Sequence, residues 1–385
     1  MAGRRPHIYL LTWDFPPSKG GIQRWMHELA RRMGDADVRV FAPSTRGADA
    51  FDRTVGVRVT RVIGAGYGSV PWQFVLMLHV LWCSIVRRPD VIVCAHVVTA
   101  PAALVLQKIF RVPFVLFVHG VEIRGRRWRR TIRFALTRAD LVLANSAFTR
   151  QCVIDLHVPP DRIRVINPGV DPGLFDSVAD VPRVDRPRTI LSVSRLDEHY
   201  KGHDTMLRAL PLVRAKCPDV RYVIVGTGVL LEYLKALARS LGVADAVEFA
   251  GEVSDQTLPA RYRDCDVFVQ LSREDRTGGV EGFGIVCLEA AAAGKPVIAG
   301  ASGGLVSAVR DGETGLLVNP EDPAAIADAV VSLLTDRDKA EALGRAGRAR
   351  VERELTWDAM AQTARAVVAE LVARKDEGRL SAFSS

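Results

Sequence analysis

Two carboxylates with seven residues between them mark the segment EGFGIVCLEAAAAG at 281–294, Glu281 ahead of an apolar run and Glu289 within it. The run from Ile285 to Ala293 reads as a helix, with Gly294 suited to its C-terminus. Gly282 and Gly284 let the backbone approach a ligand closely. The N–H groups that open such a helix lack partners and point the same way as its dipole, so they favour an anion such as phosphate. One carboxylate can then accept hydrogen bonds from a hexose while the other grips a ribose. That is the chemistry of an activated sugar, and an ordinary buried helix with a surface Glu at each end is the plainer alternative.

Three further loops carry matching groups. Gly20 and Gly21 follow the opening strand and can present backbone N–H groups to an anion, although a Gly-Gly pair serves equally as a turn. His119 ends a strand just before Gly120, which suits either a ligand-facing histidine or a buried, hydrogen-bonded one. Arg195 ends another strand, and Lys201 stands on the same loop ahead of a helix. Two cations so placed neutralise a diphosphate; their alternative is surface solvation. No serine, cysteine or histidine elbow points to acyl chemistry, and no HxxxH spacing or Cys/His cluster points to a metal.

The elements that must position these loops are parallel sheets wrapped by helices, because short β-branched runs alternate with amphipathic stretches and ligands bind at the carboxyl ends of such strands. Strands are expected at 7–11, 38–43, 57–62, 91–96, 113–119, 141–145 and 163–167, and in a second series at 189–194, 222–226, 247–250, 267–271, 296–300 and 315–318. The proline- and aspartate-rich stretch 169–187 has no sustained period and reads as a linker. Domains are therefore expected at 1–168, completed by 356–385, and at 188–355. A final amphipathic helix is expected at 356–371, with 374–385 frayed. At 385 residues, 48% hydrophobic and 25% charged, the chain can bury two cores. Its net charge of +8 favours anionic partners, nucleotide diphosphates or a lipid headgroup surface, and no motif supports nucleic acid. The six cysteines form no CxxC pair and read as reduced core residues. Residues 1–6 lead into a short strand rather than a long apolar segment, so a cytoplasmic location is expected. The apolar stretch 71–86 is sixteen residues long, short of the roughly 20 that span a bilayer, and is expected to form a buried or interfacial helix.

FPPSKGGIQ at 15–23, VHG at 118–120, SRL…KG at 194–202, VGTG at 225–228 and EGFGIVCLEAAAAGKPVIAG at 281–300 together resemble the retaining glycosyltransferases of family 4, over nearly the whole chain. Within that family, GGIQ, REDRTGGVEGFGIVCLEA and GASGG are similar to bacterial phosphatidylinositol mannosyltransferase-like enzymes. The resemblance implies the α/β fold called GT-B: two facing Rossmann-like domains with parallel sheets, and a C-terminal helix crossing back to the first. It implies that Arg195 and Lys201 hold the donor diphosphate and Glu289 the ribose. Glu281, with the backbone of Phe283, Gly284 and Ile285, would hold the transferred sugar. His119 would line the reaction centre, Gly21 would approach the phosphates from the acceptor domain, and the loop 251–253, Val253 included, would meet the nucleobase through main-chain groups. Six positions separate Arg195 from Lys201, one more than is common in the family. The donor implied is a GDP- or UDP-sugar carrying a hexose such as mannose, with no metal or other cofactor.

Breaking a glycosyl–phosphate bond develops positive charge at the anomeric carbon and negative charge on the leaving phosphate, which cations and helix N–H groups stabilise. Double displacement would need a carboxylate beneath the sugar, and the resemblance assigns Glu281 to hydroxyls instead. Front-face transfer with retention is therefore expected, the departing phosphate accepting the acceptor's proton. A soluble acceptor, a nucleotide-sugar epimerase and a phosphorylase remain alternatives on the same fold. A dinucleotide oxidoreductase is disfavoured, since Leu231 stands where a third glycine would complete the motif begun by Gly226 and Gly228. Arg124, Arg126, Arg127, Arg129, Arg130 and Arg133 surround Trp128, so the segment 124–133 is a candidate peripheral contact with an anionic membrane and a lipid-linked acceptor, or else a solvated helix face. Closure of the two domains on donor binding is also expected.

Overall fold

The structure, a computed structural model, describes residues 5–64, 70–124, 129–176, 186–276 and 278–383. Arg126, Arg127 and Trp128 of the basic segment, and 177–185 of the expected linker, lie outside the described residues. The chain divides into two compact units, Met1–Pro168 with Trp357–Ser385, and Gly169–Thr356.

The first unit is built on a parallel sheet of β1 (His7–Leu11), β2 (Asp37–Pro43), β3 (Arg58–Val62), β4 (Val91–Cys94), β5 (Phe114–Val118), β6 (Leu141–Ala144) and β7 (Ile163–Val165), in the order β3-β2-β1-β4-β5-β6-β7. Every residue of β1, β4, β5 and β6 is buried, as a parallel sheet covered on both faces demands. Tyr9, Leu11, Ile92 and Leu116 share one core with Trp72, Leu76, Leu106 and Leu136 of the helices Val70–Val86, Ala100–Phe110 and Arg129–Arg138. On the other face Ile8, Leu10 and Phe117 meet Leu29, near the end of the Gly21–Arg31 helix, and Ala364, Val367 and Val368 of the last helix. That last helix spans Trp357–Phe383, well past 371, because alanine, arginine, lysine and glutamate in its second half sustain it. The Val70–Val86 helix buries only one side, and among the described residues no helix is long and apolar enough to cross a membrane.

The second unit holds β8 (Thr189–Val193), β9 (Arg221–Val225), β10 (Val247–Gly251), β11 (Val267–Gln270), β12 (Val297–Gly300) and β13 (Leu316–Val318), all parallel, in the order β10-β9-β8-β11-β12-β13. The start of the expected linker packs onto this unit. Val170 N–H donates to the Leu355 carbonyl at 2.9 Å, and the ring of Phe175 lies 5.9 Å from that of Tyr262, so two apolar residues anchor the stretch. All six cysteines are free, and five are buried. Each sheet reverses its strand order once, at β1/β4 in the first unit and at β8/β11 in the second. A crevice opens at such a reversal, between loops leaving neighbouring strands in opposite directions.

Candidate active site

At the β8/β11 reversal the loops after both strands meet. Ser194 N–H donates to the Val225 carbonyl (3.1 Å) and Leu196 N–H to that of Thr227 (2.8 Å), so the Arg195 loop rests on the turn after β9. Gly226 makes this possible. Its φ is +137°, and a Cβ there would stand 1.8 Å from the Ser194 oxygen, so the VGTG motif is a seat for the Arg195 loop. The loop includes a short 3-10 turn, His199–Lys201. Arg195 is largely exposed (70%) and pairs with Glu198 at 3.1 Å.

Lys201 Nζ lies 2.6 Å from Glu281 Oε2, so the cation expected to meet phosphate and the carboxylate expected to meet sugar hold one another. Burial opposes the charge on Lys201, but Glu281, Tyr200 and Glu198 together outweigh it and raise the lysine pKa, so the ammonium persists. Beneath this pair, His203 Nε2 lies 2.7 Å from Ser194 Oγ, and its Nδ1 is 3.3 Å from the Tyr222 hydroxyl. Tyr222 donates to Ser192 Oγ (3.0 Å), which donates to the Val269 carbonyl (2.6 Å). Burial first, then the charge of Lys201, pushes His203 down to about 4, which leaves it neutral at pH 7.

Gly284 precedes the Ile285–Ala292 helix, and the N–H groups of Ile285 and Val286 donate to no described residue. The Glu281 carbonyl accepts from Gly304 N–H at 2.7 Å. A Cβ on Gly304 would stand 1.9 Å from the Gly282 oxygen, so the GASGG turn braces the Glu281 loop from below. Phe283 is buried in the core beside Val223 and Leu288, with Val253 packed on its edge. Glu289 is not a surface residue: it is 8% exposed and accepts from the Tyr262 hydroxyl at 2.7 Å. Arg273, on the approach to Glu281, grips Asp204 at 3.0 and 2.9 Å and Thr205 at 2.7 Å. Sequence reasoning missed Tyr262, His203, Tyr222 and Arg273. The signal for His203 was its place just after Lys201 and Gly202; for Tyr262 and Tyr222 none was available without the strand order.

In the first unit, His119 is fixed from three sides. Its N–H donates to Glu122 Oε1 (2.5 Å), its carbonyl accepts from Asn145 Nδ2 (2.9 Å), and its ring Nε2 donates to the Ala95 carbonyl (2.8 Å). The proton therefore sits on Nε2, and the buried Nδ1 lone pair has no partner among the described residues. Burial, then His96, lowers the His119 pKa and keeps the ring neutral. The two imidazole rings are 4.9 Å apart, His96 Nε2 is 2.6 Å from Asp14 Oδ2, and Gln23 Nε2 donates to Asp14 Oδ1 at 2.6 Å. Asp14, His96 and Gln23 were not singled out from sequence, although Asp14 and His96 follow β1 and β4, the strands at the reversal. Gly21 is exposed at the first position of the Gly21–Arg31 helix. Arg124 of the basic segment lies over the Phe148 ring at 5.5 Å.

The family described as Glycosyltransferase Family 4 matches residues 19–174, and that described as Glycosyl transferases group 1 matches residues 176–350. The chain is 37% identical to the GDP-mannose-dependent alpha-(1-6)-phosphatidylinositol monomannoside mannosyltransferase of Mycobacterium tuberculosis, over 92% of this chain and 96% of that protein. It is 31% identical to a glycogen synthase of the same organism, over 92% of each. Among solved structures, sucrose-phosphate synthase from Thermosynechococcus elongatus aligns with a TM-score of 0.82 at 24% identity, over 96% of this chain and 100% of that one. Anabaena HepE in complex with UDP and glucose aligns with a TM-score of 0.79 at 21% identity, over 95% and 100%. These two likenesses establish the two-unit fold alone.

Proposed function

The chain belongs to glycosyltransferase family 4, and from that premise we propose that it moves a mannosyl residue from GDP-mannose to a hydroxyl of a phosphatidylinositol-based glycolipid, with retention at the anomeric carbon. The observation that carries the transfer chemistry is the convergence of Lys201, Glu281, the N–H groups of Ile285 and Val286 that have no partner among the described residues, and buried Glu289 at one sheet reversal. The choice of mannose and of a lipid acceptor rests on the 37% identical relative.

As the glycosyl–phosphate bond breaks, Lys201, Arg195 and the helix N–H groups meet the charge that collects on the leaving diphosphate. Lys201 turns from Glu281 towards phosphate, which frees that carboxylate for sugar hydroxyls. Glu289 takes the ribose, the main chain around Val253 faces the base, and the backbone from Phe283 to Ile285 supports the sugar. In the first unit, the helix start at Gly21 offers N–H groups to an anion and His119 offers its neutral Nδ1 to a hydroxyl. Protein cations and dipoles then replace a divalent ion, and the phosphate oxygen takes the acceptor's proton. A lipid acceptor calls for work at the cytoplasmic membrane face.

The test is mannosyl transfer from GDP-mannose to phosphatidylinositol mannoside in the presence of a chelator, with the linkage read by NMR. An α-mannoside formed at full rate is expected; an inverted product, or activity restored only by a divalent ion, would overturn the mechanism. The 31% identical glycogen synthase favours one second reading, glucosyl transfer to a soluble glucan, and a donor screen that yields glucosyl product alone would replace the first.

A further inference from the structure

The Val70–Val86 helix is apolar on both sides. Trp72, Leu76, Val80 and Cys83 are buried against the sheet, while Phe74, Leu78, Trp82 and Ile85 are 55%, 48%, 69% and 68% exposed. At 3.6 residues per turn those four exposed side chains fall in one stripe about 80° wide and roughly 16 Å long. The helix packs on Ala100–Phe110, which packs on Arg129–Arg138, so the layer is continuous. These neighbours add Ile109 and Phe134, 59% and 49% exposed. An apolar surface of this extent calls for cover.

Charge decides what covers it. None of the three helices contains Asp or Glu. At the chain's mean frequency of 44 acids in 385 residues, about four would be expected there, so their lack sets the sign of the surface. Lys108, Arg111, Arg130 and Arg133 are exposed along the same layer, and Arg138 lies over the Phe134 ring at 4.2 Å. A second copy of this face would bring like charges together. Anionic headgroups above an acyl boundary satisfy both the cations and the tryptophan-bearing stripe.

We propose that the outer face of these three helices docks the protein on an anionic lipid bilayer. The Val70–Val86 helix lies in the plane of the surface, with Phe74, Leu78, Trp82 and Ile85 among the upper acyl chains and the lysine and arginines on phosphates. The face belongs to the first unit alone and its test needs neither donor nor acceptor, so it stands or falls apart from the transfer chemistry.

The experiment is co-sedimentation of the full chain with vesicles of phosphatidylcholine, alone or mixed with phosphatidylglycerol. Binding is expected to be about tenfold tighter to the mixed vesicles and to weaken with salt. Leu78→Ser/Trp82→Ser/Ile85→Ser should bind about tenfold more weakly while melting near the wild-type temperature, since all three side chains are exposed. Lys108→Glu/Arg111→Glu/Arg133→Glu should lose the preference for anionic vesicles. Equal binding by wild type and the serine variant, or to both kinds of vesicle, overturns the proposal. So does a lipid-free dimer in sedimentation velocity that Trp82→Ser dissolves, if vesicles are not bound, because the face then serves self-association.

Discussion

Lys201 and Glu281 neutralise each other at 2.6 Å, so removing the lysine does two things at once. On the proposed assignment it takes a cation from the diphosphate, and it leaves a largely buried carboxylate without its partner. Lys201→Ala should therefore weaken GDP-mannose binding by more than the roughly 10- to 150-fold that a lost charge-assisted hydrogen bond, about 1.5–3 kcal/mol, accounts for. Glu289→Gln keeps an acceptor for the Tyr262 hydroxyl and so should leave the melting temperature nearly unchanged while donor affinity falls. Calorimetry that finds unchanged affinity in both variants would remove the donor assignment. His203 gives a separate test. Its folded pKa of about 4 lies below the ordinary 6.5, so below pH 6.5 the unfolded chain takes up a proton that the folded one refuses. Stability present above 6.5 is then lost as pH falls towards 4, by about 3 kcal/mol in all. Urea unfolding at pH 7 and pH 4.5 should show a smaller loss for His203→Gln than for wild type, and parallel losses would contradict the argument. The charged residues of these loops were legible in the sequence because charges beside strand ends stand out from apolar runs. Their partners were not: Tyr262 reaches Glu289, and His96 reaches Asp14, only through a strand order that no local pattern encodes.

At the scale of elements, strands were the most legible feature, since sheets buried on both faces require unbroken apolar runs such as those of β1 and β5. The expected strand ends were extended by a residue or two where polar residues such as His96, His119 and Ser194 begin the loops; His96 and Ser194 follow strands at the reversals, and His119 packs on His96. The Val70–Val86 helix was harder to read, because uniform apolarity conceals which side is buried. Turns that brace loops were the least legible. The GASGG turn has no charge and no period, yet Gly304 sits so close to the Gly282 oxygen, 1.9 Å from where a Cβ would be, that no side chain fits. Gly304→Ala should push the Glu281 loop away from its seat and cost about 1–3 kcal/mol of stability. A displacement of an ångström lowers catalysis by about two orders of magnitude, so kcat/KM should fall about 100-fold. Crystallography of the variant checks the displacement, and full activity with an unmoved loop would show that the turn is not a brace.

At the scale of the whole molecule, the chain leaves the first unit at Pro168 and re-enters it at Trp357, so one unit is continuous and the other is not. The difference has an energetic consequence. Trp357, Met360, Ala361, Ala364, Val367, Val368 and Leu371 are all buried, and Ala364, Val367 and Val368 share with Leu29 and Met33 the apolar layer over β1, β4 and β5. A single large-to-small change in such a core costs about 2–5 kcal/mol, and a whole domain is stable by only about 5–15 kcal/mol. Ending the chain after Thr356 therefore removes more than the first unit can lose. The second unit keeps Val170 bound to Leu355 and both of its cores, so it should fold regardless. Hydrogen exchange on the chain 1–356 should find β1, β4 and β5 unprotected and β8, β9 and β11 protected as in the full chain. GDP binding should survive in it while transfer is lost, since the loops proposed to hold the donor lie in the continuous unit and His119 in the other. Protection retained equally in both sheets would mean that the last helix is an addition to the first unit rather than part of its core.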